Sequence, residues 1–167
     1  MTTEKNLILD AVQVKQKIRR MAFEIYESNV KEKIIVLAGI DGQGYVLAKL
    51  LAKEVESISP LEVKLVLINL DKTAPEQSEI TVDCEVKELR KKCIVMVDDV
   101  LNTGRTFTYG IKPFLNIEVK KIEAAVLVNR GLTTFPVHAR YTGYELSTTI
   151  KDHIEVKLGK ETAVYLH

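Results

Sequence analysis

Residues 93–106 read CIVMVDDVLNTGRT, and this stretch decides both the fold and the candidate site. Residues 93–97 form an apolar run without polar alternation, which is typical of a strand buried on both faces of a parallel sheet. The run delivers two adjacent carboxylates, Asp98 and Asp99, to the end of that strand. A turn follows, and a helical pattern extends from about Gly104 to Leu115. The stretch therefore predicts a strand–turn–helix unit with charge concentrated at its turn.

The turn has the properties of a phosphate-binding loop. The first N–H groups of a helix lack intrahelical partners and carry a positive partial charge. Thr103 and Thr106 add hydroxyl donors, and Gly104 lets the backbone approach an anion closely. Carboxylates facing a phosphate would repel it, so Asp98 and Asp99 fit better as acceptors for the hydroxyls of an attached sugar, directly or through Mg²⁺. The residues thus indicate a phosphorylated sugar with vicinal hydroxyls.

A purely structural role is the alternative interpretation of the acidic pair. An isolated Asp-Asp pair more often caps a turn, and the threonines would then only begin a helix. The buried-type strand before the pair and the TGRT sequence after it favour the binding site.

Apolar runs and helical patterns alternate on both sides of this unit. Helical spacing extends from Asp10, a candidate N-cap, to Asn29, and again from Val46 to Val55. Further buried-strand patterns occupy residues 34–38, 63–70 and 122–128. The alternation predicts an α/β fold with a central, mostly parallel sheet flanked by helices. Beyond residue 129 the pattern is less regular, with short extended pieces at 154–158 and 163–166, and predicts a small cap on the same body.

Composition narrows the class of protein. A chain of 167 residues, 46% of them hydrophobic, is long enough for one domain with a real core. A formal net charge of +1 gives no global attraction to nucleic acid or membrane. Cys84 and Cys93 lack the spacing of a zinc site or a disulfide framework. Without a signal-peptide pattern or an apolar run of membrane length, we expect a cytoplasmic protein with no membrane partner.

The run IVMVDDVLNTGRT resembles the phosphoribosyl-pyrophosphate signature of type I phosphoribosyltransferases. Over about residues 10–160 the chain is most similar to one branch, the pyrimidine-operon attenuation regulators that double as uracil phosphoribosyltransferases. That resemblance is carried, in the same order, by RRMAFEIYE, GYVLAKLLAKEVE, AAVLVNRG and FPVHARYTGYELSTT. It implies a single type I phosphoribosyltransferase domain over residues 1–167, with a small C-terminal hood formed mainly by about 129–167.

The resemblance also implies a role for each site residue. Asp98 and Asp99 would bind the ribose hydroxyls and, through ribose or water, Mg²⁺. The 5-phosphate would be bound by Leu101, Asn102, Thr103, Gly104, Arg105 and Thr106. The pyrophosphate would face Gly39, Ile40, Asp41, Gly42, Gln43 and Gly44. The base would contact Val128, Asn129 and Arg130, and residues 71–79, the lid segment, would cover the reacting centre.

Two functions follow from this resemblance. The first is transfer of a 5-phosphoribosyl group from phosphoribosyl pyrophosphate to a free base, uracil, with Mg²⁺. The second is a nucleotide-sensing regulator that binds a nucleoside monophosphate and RNA, with weak or no catalysis. Basic clusters such as residues 90–92 and 120–121 are more typical of solvated faces than of an RNA site, because the formal net charge of the chain is only +1. The resemblance further implies a homodimer or a higher homo-oligomer.

Four positions depart from the relatives' pattern. Residues 41–44 read DGQG where the regulator branch usually has a basic residue. The lid segment is short and has Lys72 as its only basic residue, whereas the lids of relatives usually contain arginine. Asn129 stands where that branch commonly has aspartate. Asn102 replaces an aspartate of purine-salvage relatives, and asparagine is no general base near neutral pH, which disfavours a 6-oxopurine substrate. The DGQG turn separates the two functions, since a sensor of nucleoside monophosphates needs no pyrophosphate contacts.

Overall fold

The computed structural model describes residues 4–77 and 79–167. Its strands are β1 (Asn6–Leu9), β2 (Ile34–Ile40), β3 (Glu62–Asn69), β4 (Thr81–Val82), β5 (Cys93–Leu101), β6 (Lys121–Asn129), β7 (Ala139–Glu145), β8 (Ile154–Lys157) and β9 (Ala163–Leu166). Its α-helices are α1 (Ala11–Glu27), α2 (Gln43–Ile58) and α3 (Arg105–Gly110), with short 3₁₀ turns at Val86–Leu89 and Lys112–Phe114. No helix within these described residues is long and apolar enough to cross a membrane.

A six-stranded sheet in the order β4-β3-β2-β5-β6-β7 forms the body of the molecule. Neighbouring strands are parallel except for β3 and β4, which pair antiparallel. The predicted fold class, a mostly parallel sheet flanked by helices, is confirmed. The strand pattern of residues 93–97 continues further than predicted, because Val100 and Leu101 still pair with Val128 and Asn129 of β6.

Helix α1 begins where the sequence predicts. The Asp10 carboxylate accepts a hydrogen bond from Gln13 N at 2.8 Å, and the Gln13 side chain accepts one from Asp10 N at 2.9 Å. This capping box satisfies two backbone donors at the helix start. The buried residues of α1 recur at helical spacing: Val14, Ile18, Met21, Ala22 and Ile25. Helix α3 is shorter than the predicted 104–115, since Pro113 falls in a separate 3₁₀ turn.

The central strands are buried on both faces, which explains their unbroken apolar runs. In β2, Ile35 and Leu37 belong to the core under α1 and α2, whereas Val36 and Ala38 belong to the core on the opposite face. That opposite core is closed by Phe107 of α3, among others. Alternation of side chains between the two faces makes each strand residue part of one core or the other.

A second, three-stranded antiparallel sheet has the order β1-β9-β8. It packs onto the core of α1 and α2 through Leu9, Ile154, Val156 and Val164. The family resemblance implies a hood formed mainly by about residues 129–167. In the structure β1 joins this small sheet from the N-terminal side, and β7 extends the large sheet beside β6. The alternating burial of β7, with Ala139 and Tyr141 buried, fits a strand with one face on the core.

The carboxyl ends of β2 and β5 form the switch point of the large sheet. From β2 the chain continues through α2 to β3 on one side, and from β5 it continues to β6 on the other side. Open α/β sheets bind ligands at this position. Gly44, near the start of α2, lies directly against β5: a Cβ there would be 2.7 Å from Asp98 Oδ1 and 2.9 Å from the Val97 carbonyl oxygen.

We predict that Gly44→Ala destabilises the protein by about 1–3 kcal/mol, because the added methyl meets backbone that cannot move independently. Gly110→Ala is the matched control. A Cβ at Gly110 would first meet the flexible end of Met96, so this variant should be close to neutral. Urea unfolding followed by circular dichroism measures both free energies of unfolding. Equal values for the two variants would contradict the close approach of α2 to β5.

Candidate active site

A cavity of about 340 Å³ opens at the switch point, beyond the carboxyl end of β5. It is lined by Lys72, Asp98, Asp99, Val100, Leu101, Asn102, Thr103, Gly104, Arg105, Thr106, Phe107, His153 and Ile154. The structure therefore brings together the acidic pair, all six residues predicted for the 5-phosphate, one residue of the lid segment and two residues of the small sheet region. Residues 98–107 are contiguous in sequence, whereas Lys72, His153 and Ile154 are brought to them only by tertiary folding.

The two carboxylates of the pair have different surroundings. Asp98 is 2% exposed, while Asp99 is partly exposed. One oxygen of Asp98 accepts the backbone N–H of Asp99 at 2.9 Å. Both acids lie within β5, since the strand ends only at Leu101, so the sheet rather than a loop fixes their positions.

Lys72 of the lid segment lies over the acidic pair. Its ammonium nitrogen is 2.8 Å from Asp98 Oδ1 and 3.7 Å from Asp99 Oδ1. The lid segment is further attached to the site by Arg105, whose guanidinium donates to the carbonyl oxygen of Ala74. Ser78, also in this segment, lies outside the described residues. A ligand that binds to the carboxylates of Asp98 and Asp99 must therefore displace the Lys72 ammonium.

Burial raises the pKa of Asp98 to about 7, and the neighbouring Asp99 acts in the same direction. Lys72 opposes this by stabilising the carboxylate, but the loss of hydration prevails. The pKa of Lys72 is itself raised, since attraction by the two carboxylates outweighs its burial. The Asp98 carboxyl is thus a buried acid whose ionisation depends on the nearby Lys72 ammonium.

Backbone hydrogen bonds from the segment before β7 fix the loop after β5. The Thr103 carbonyl oxygen accepts the N–H groups of Thr134 and Phe135, at 2.9 and 3.1 Å. Gly104 has a positive φ of 88°, and Arg105 N donates to Thr103 Oγ1 at 3.3 Å. The Arg105 guanidinium also lies over the ring of Tyr109, 5.0 Å from its centroid. These contacts fix the loop while leaving its open side towards the cavity.

The predicted pyrophosphate turn lies beside this cavity but does not line it. Gly39 and Ile40 belong to β2, and the Ile40 side chain is buried in the core. Asp41 and Gly42 are exposed, with Gly42 N donating to the Asp41 carboxylate at 2.9 Å. The Gln43 side chain accepts the N–H of Leu158 at 3.0 Å. Gly44 packs beneath Asp98, so this turn positions the acidic pair as well as facing the switch point.

The three residues predicted to contact the base are absent from the lining of this cavity among the described residues. Val128 is fully buried in the core, and Asn129 and Arg130 line a separate cavity of about 110 Å³. In their place the structure presents His153 and Ile154, which the sequence analysis did not identify as site residues. The extended pattern at 154–158 predicted a strand there, but no local signal links it to a loop some fifty residues earlier.

Arg130 connects the loop to the region before β8. Its Nη1 donates to Asn102 Oδ1 at 2.7 Å and its Nε to Thr148 Oγ1 at 2.8 Å. Its Nη2 donates to the carbonyl oxygens of Thr149 and Asp152, at 2.9 and 2.7 Å. The Arg130 side chain is buried, and each of its three nitrogens makes a hydrogen bond. It therefore connects the loop after β5 to the segment before β8.

Fold and site together define an α/β protein with an acidic pair and a glycine-containing loop in a cavity at the switch point of its sheet. The chain belongs to the phosphoribosyl transferase domain family, whose model matches residues 6–160. It is similar to the bifunctional protein PyrR of Fusobacterium nucleatum, with 30% identity over 177 aligned positions that cover 99% of this chain and all of the relative. The bifunctional protein PyrR of Bacillus pumilus is 31% identical, covering 94% of this chain and 92% of the relative.

Solved structures share the fold at lower sequence identity. The hypoxanthine phosphoribosyltransferase of Trypanosoma cruzi superposes with a TM-score of 0.79 at 11% identity, covering 96% of this chain and 95% of that one. A hypoxanthine-guanine phosphoribosyltransferase from Bacillus anthracis gives a TM-score of 0.72 at 17% identity, covering 86% of this chain and 84% of that one. The fold is therefore that of the type I phosphoribosyltransferases.

We predict that Asp98→Asn stabilises the protein above pH 7 and loses this effect in acid. The folded state keeps Asp98 protonated up to about pH 7, whereas its ordinary pKa is 3.8. Between these values the folded state binds more protons than the unfolded state, so the contribution of Asp98 to stability falls as pH rises. At pH 8 we expect a Tm increase of roughly 5–10 °C, which should vanish near pH 4.

Thermal unfolding between pH 4 and 8 measures this, with Asp152→Asn as the contrasting variant. The Thr149 N–H bonded to the Asp152 carboxylate holds the pKa of Asp152 below its usual value. Its replacement should therefore lower Tm at pH 8. A Tm difference for Asp98→Asn that is constant across this range would contradict the raised pKa.

Proposed function

We propose that this protein transfers a 5-phosphoribosyl group from phosphoribosyl pyrophosphate to a free base, uracil, with Mg²⁺. The observation that carries the proposal is one cavity lined by Asp98, Asp99, the loop 102–106, His153 and Ile154. The acidic pair suits the ribose, the loop suits the 5-phosphate, and the base would lie towards His153 and Ile154. The full-length similarity to bifunctional PyrR proteins supports the choice of a pyrimidine.

The 5-phosphate would be bound by the loop after β5. Thr103 and Thr106 line the cavity and carry hydroxyl donors, and Gly104 allows a close approach of the backbone. Thr103 and Asn102 are exposed, so the donors need little rearrangement. Arg105 would move from the Ala74 carbonyl oxygen or remain there as the lid attachment.

The ribose hydroxyls would replace Lys72 as the partners of the acidic pair. Adjacent carboxylates can accept hydrogen bonds from two vicinal hydroxyls. They also fit Mg²⁺, which typically takes one or two protein carboxylates and completes its shell with substrate oxygens and water. The described residues contain no group of three or more His, Cys, Asp or Glu arranged as a metal site, so substrate oxygens would have to supply the other ligands. Bound Mg²⁺ would neutralise charge on the pyrophosphate.

The pyrophosphate would lie near the start of α2. That helix has 16 residues, and its N-cap Gly42 provides no side-chain hydrogen bond, so the first N–H groups remain available to an anion. Residues 41–44 offer no cation, and Lys72 is the basic side chain that the lid segment brings to the site. Once displaced from Asp98, its ammonium would be well placed to meet the leaving pyrophosphate.

In the proposed reaction, a ring nitrogen of uracil forms a bond to the anomeric carbon of phosphoribosyl pyrophosphate. At the same time the bond between that carbon and a pyrophosphate oxygen breaks. The electron pair of the broken bond leaves with pyrophosphate, and the attacking nitrogen gives its proton to pyrophosphate or water. The protein's contribution is to hold both partners in line and to stabilise charge on the leaving group. Closure of the lid segment would exclude water from the sugar.

The acidic pair provides the first test. Asp98→Asn/Asp99→Asn should weaken binding of phosphoribosyl pyrophosphate in Mg²⁺ by at least about 100-fold, because two charge-assisted contacts are lost. Isothermal titration calorimetry measures the affinity. Glu56→Gln/Glu161→Gln changes the net charge equally at two exposed positions outside the cavity and should leave it unaltered. Equal affinities of wild type and the Asp98/Asp99 variant would exclude the acids from the ligand site.

A panel of free bases provides the second test and separates enzyme from sensor. With phosphoribosyl pyrophosphate present, uracil should release pyrophosphate faster than hypoxanthine or guanine. Faster turnover of a purine would refute the assignment of uracil. Binding of uridine 5′-monophosphate without turnover of any base would favour the sensor, for which the absence of a cation in residues 41–44 is the supporting observation.

A further inference from the structure

The Lys72 ammonium lies where a cation bound to the acidic pair would lie. Its nitrogen is 2.8 Å from Asp98 Oδ1 and 3.7 Å from Asp99 Oδ1, so the two carboxylates share one positive charge. Both acids line the cavity, and so does Lys72. In this structure the protein therefore supplies its own counter-ion to the acidic pair.

Hydrogen bonds within the lid segment hold Lys72 in this position. The Asp71 carboxylate accepts the N–H of Thr73 at 2.9 Å and the hydroxyl of Thr73 at 2.7 Å. The Gln77 side chain accepts Asp71 N at 3.3 Å and donates to the carbonyl oxygen of Asp71. Arg105 attaches the same segment to the loop after β5. These bonds form a turn that presents the Lys72 ammonium to the acidic pair.

The ion pair joins a buried acid to an accessible base. The Lys72 side chain is 38% exposed, whereas the Asp98 side chain is buried. Opening the pair therefore returns the ammonium to water at little cost, but it leaves the Asp98 carboxylate in need of another cation. Mg²⁺ binds carboxylate oxygens at about 2.0–2.1 Å, so it cannot share Asp98 Oδ1 with an ammonium already in contact with that oxygen.

We propose that Lys72 is an internal counter-ion that competes with a divalent cation for Asp98 and Asp99 and thereby keeps the ligand-free site closed. This inference rests on the proposed function, because it uses Mg²⁺ and the ribose as the groups that take over the acidic pair. It adds an autoinhibitory contact to that function. The lid segment stays over the carboxylates until a divalent cation replaces the ammonium.

The competition predicts an effect of opposite sign to that of a phosphate-binding lysine. Removal of a lysine that attracts phosphate weakens the binding of every phosphorylated ligand nearby. Removal of a competing counter-ion strengthens binding of the cation and of a sugar phosphate that binds together with it. The direction of the change at Lys72 therefore distinguishes the two roles.

The first measurement is the binding of Mn²⁺ to the ligand-free protein, followed by electron paramagnetic resonance of the free ion. We expect Lys72→Met to bind Mn²⁺ at least about 5-fold more tightly than the wild type, because the ion pair no longer has to be broken. Lys72→Arg keeps the charge and should match the wild type. Lys87→Met, at an exposed position outside the cavity, is the control for the loss of a lysine and should also match it.

The second measurement is the affinity for ribose 5-phosphate in Mg²⁺, determined by calorimetry. This ligand has no pyrophosphate that Lys72 could contact, so only the competition at the acidic pair is measured. We expect Lys72→Met to bind it about 3- to 10-fold more tightly than the wild type. If Lys72→Met is unfolded without metal because Asp98 lacks a partner, Lys72→Gln replaces it. The increase in Tm on addition of Mg²⁺, which should exceed that of the wild type, then gives the same comparison.

Equal Mn²⁺ affinities of Lys72→Met and the wild type, or weaker binding of ribose 5-phosphate by Lys72→Met, would overturn the competition and leave the proposed function intact. A gain in Mn²⁺ affinity that persists when Asp98→Asn and Asp99→Asn are added to Lys72→Met would also overturn it, since the cation would then bind elsewhere. Failure of the wild type to bind phosphoribosyl pyrophosphate, with the gain in Mn²⁺ affinity present, would overturn the proposed function and not the competition.

Discussion

The ion pair between Lys72 and Asp98 is the interaction on which the organisation of the site depends. A strand buried on both faces contains a carboxylate that is 2% exposed, and such a charge is unfavourable without a partner. Lys72 supplies that partner at 2.8 Å. Because Lys72 belongs to the lid segment, the same contact that compensates the buried acid also draws the lid over the cavity.

This arrangement couples the ligand to the lid through electrostatics. Under the proposed function, sugar hydroxyls or a divalent cation that took over the acidic pair would release the Lys72 ammonium, which would then be available to an anionic group nearby. Arg105 contributes a second connection, since it holds the Ala74 carbonyl oxygen and lines the cavity as well. Ligand binding and the position of the lid segment would therefore be linked, because both depend on which group pairs with the carboxylates of Asp98 and Asp99.

Arg130 gives the opposite side of the cavity its rigidity. Four hydrogen bonds to Asn102, Thr148, Thr149 and Asp152 join the loop after β5 to the segment before β8. Burying this arginine is favourable because each of its three nitrogens, and four of its five N–H donors, have an acceptor. The site thus combines a lid that can exchange partners with a wall that is fixed, which suits a pocket that must accept and release a charged ligand.

The sequence by itself determined the α/β class, the capped helix α1, the buried strands and the loop that resembles a phosphoribosyl-pyrophosphate site, because each depends on local periodicity or on a contiguous motif. The strands β1 and β7, the pairing of Lys72 with Asp98, and the bracing role of Arg130 were decided only by tertiary structure. Each of these is a contact between residues at least fifteen positions apart, and its energy comes from burial and from the loss of water around charge. A local pattern carries no information about which distant group will share that buried space.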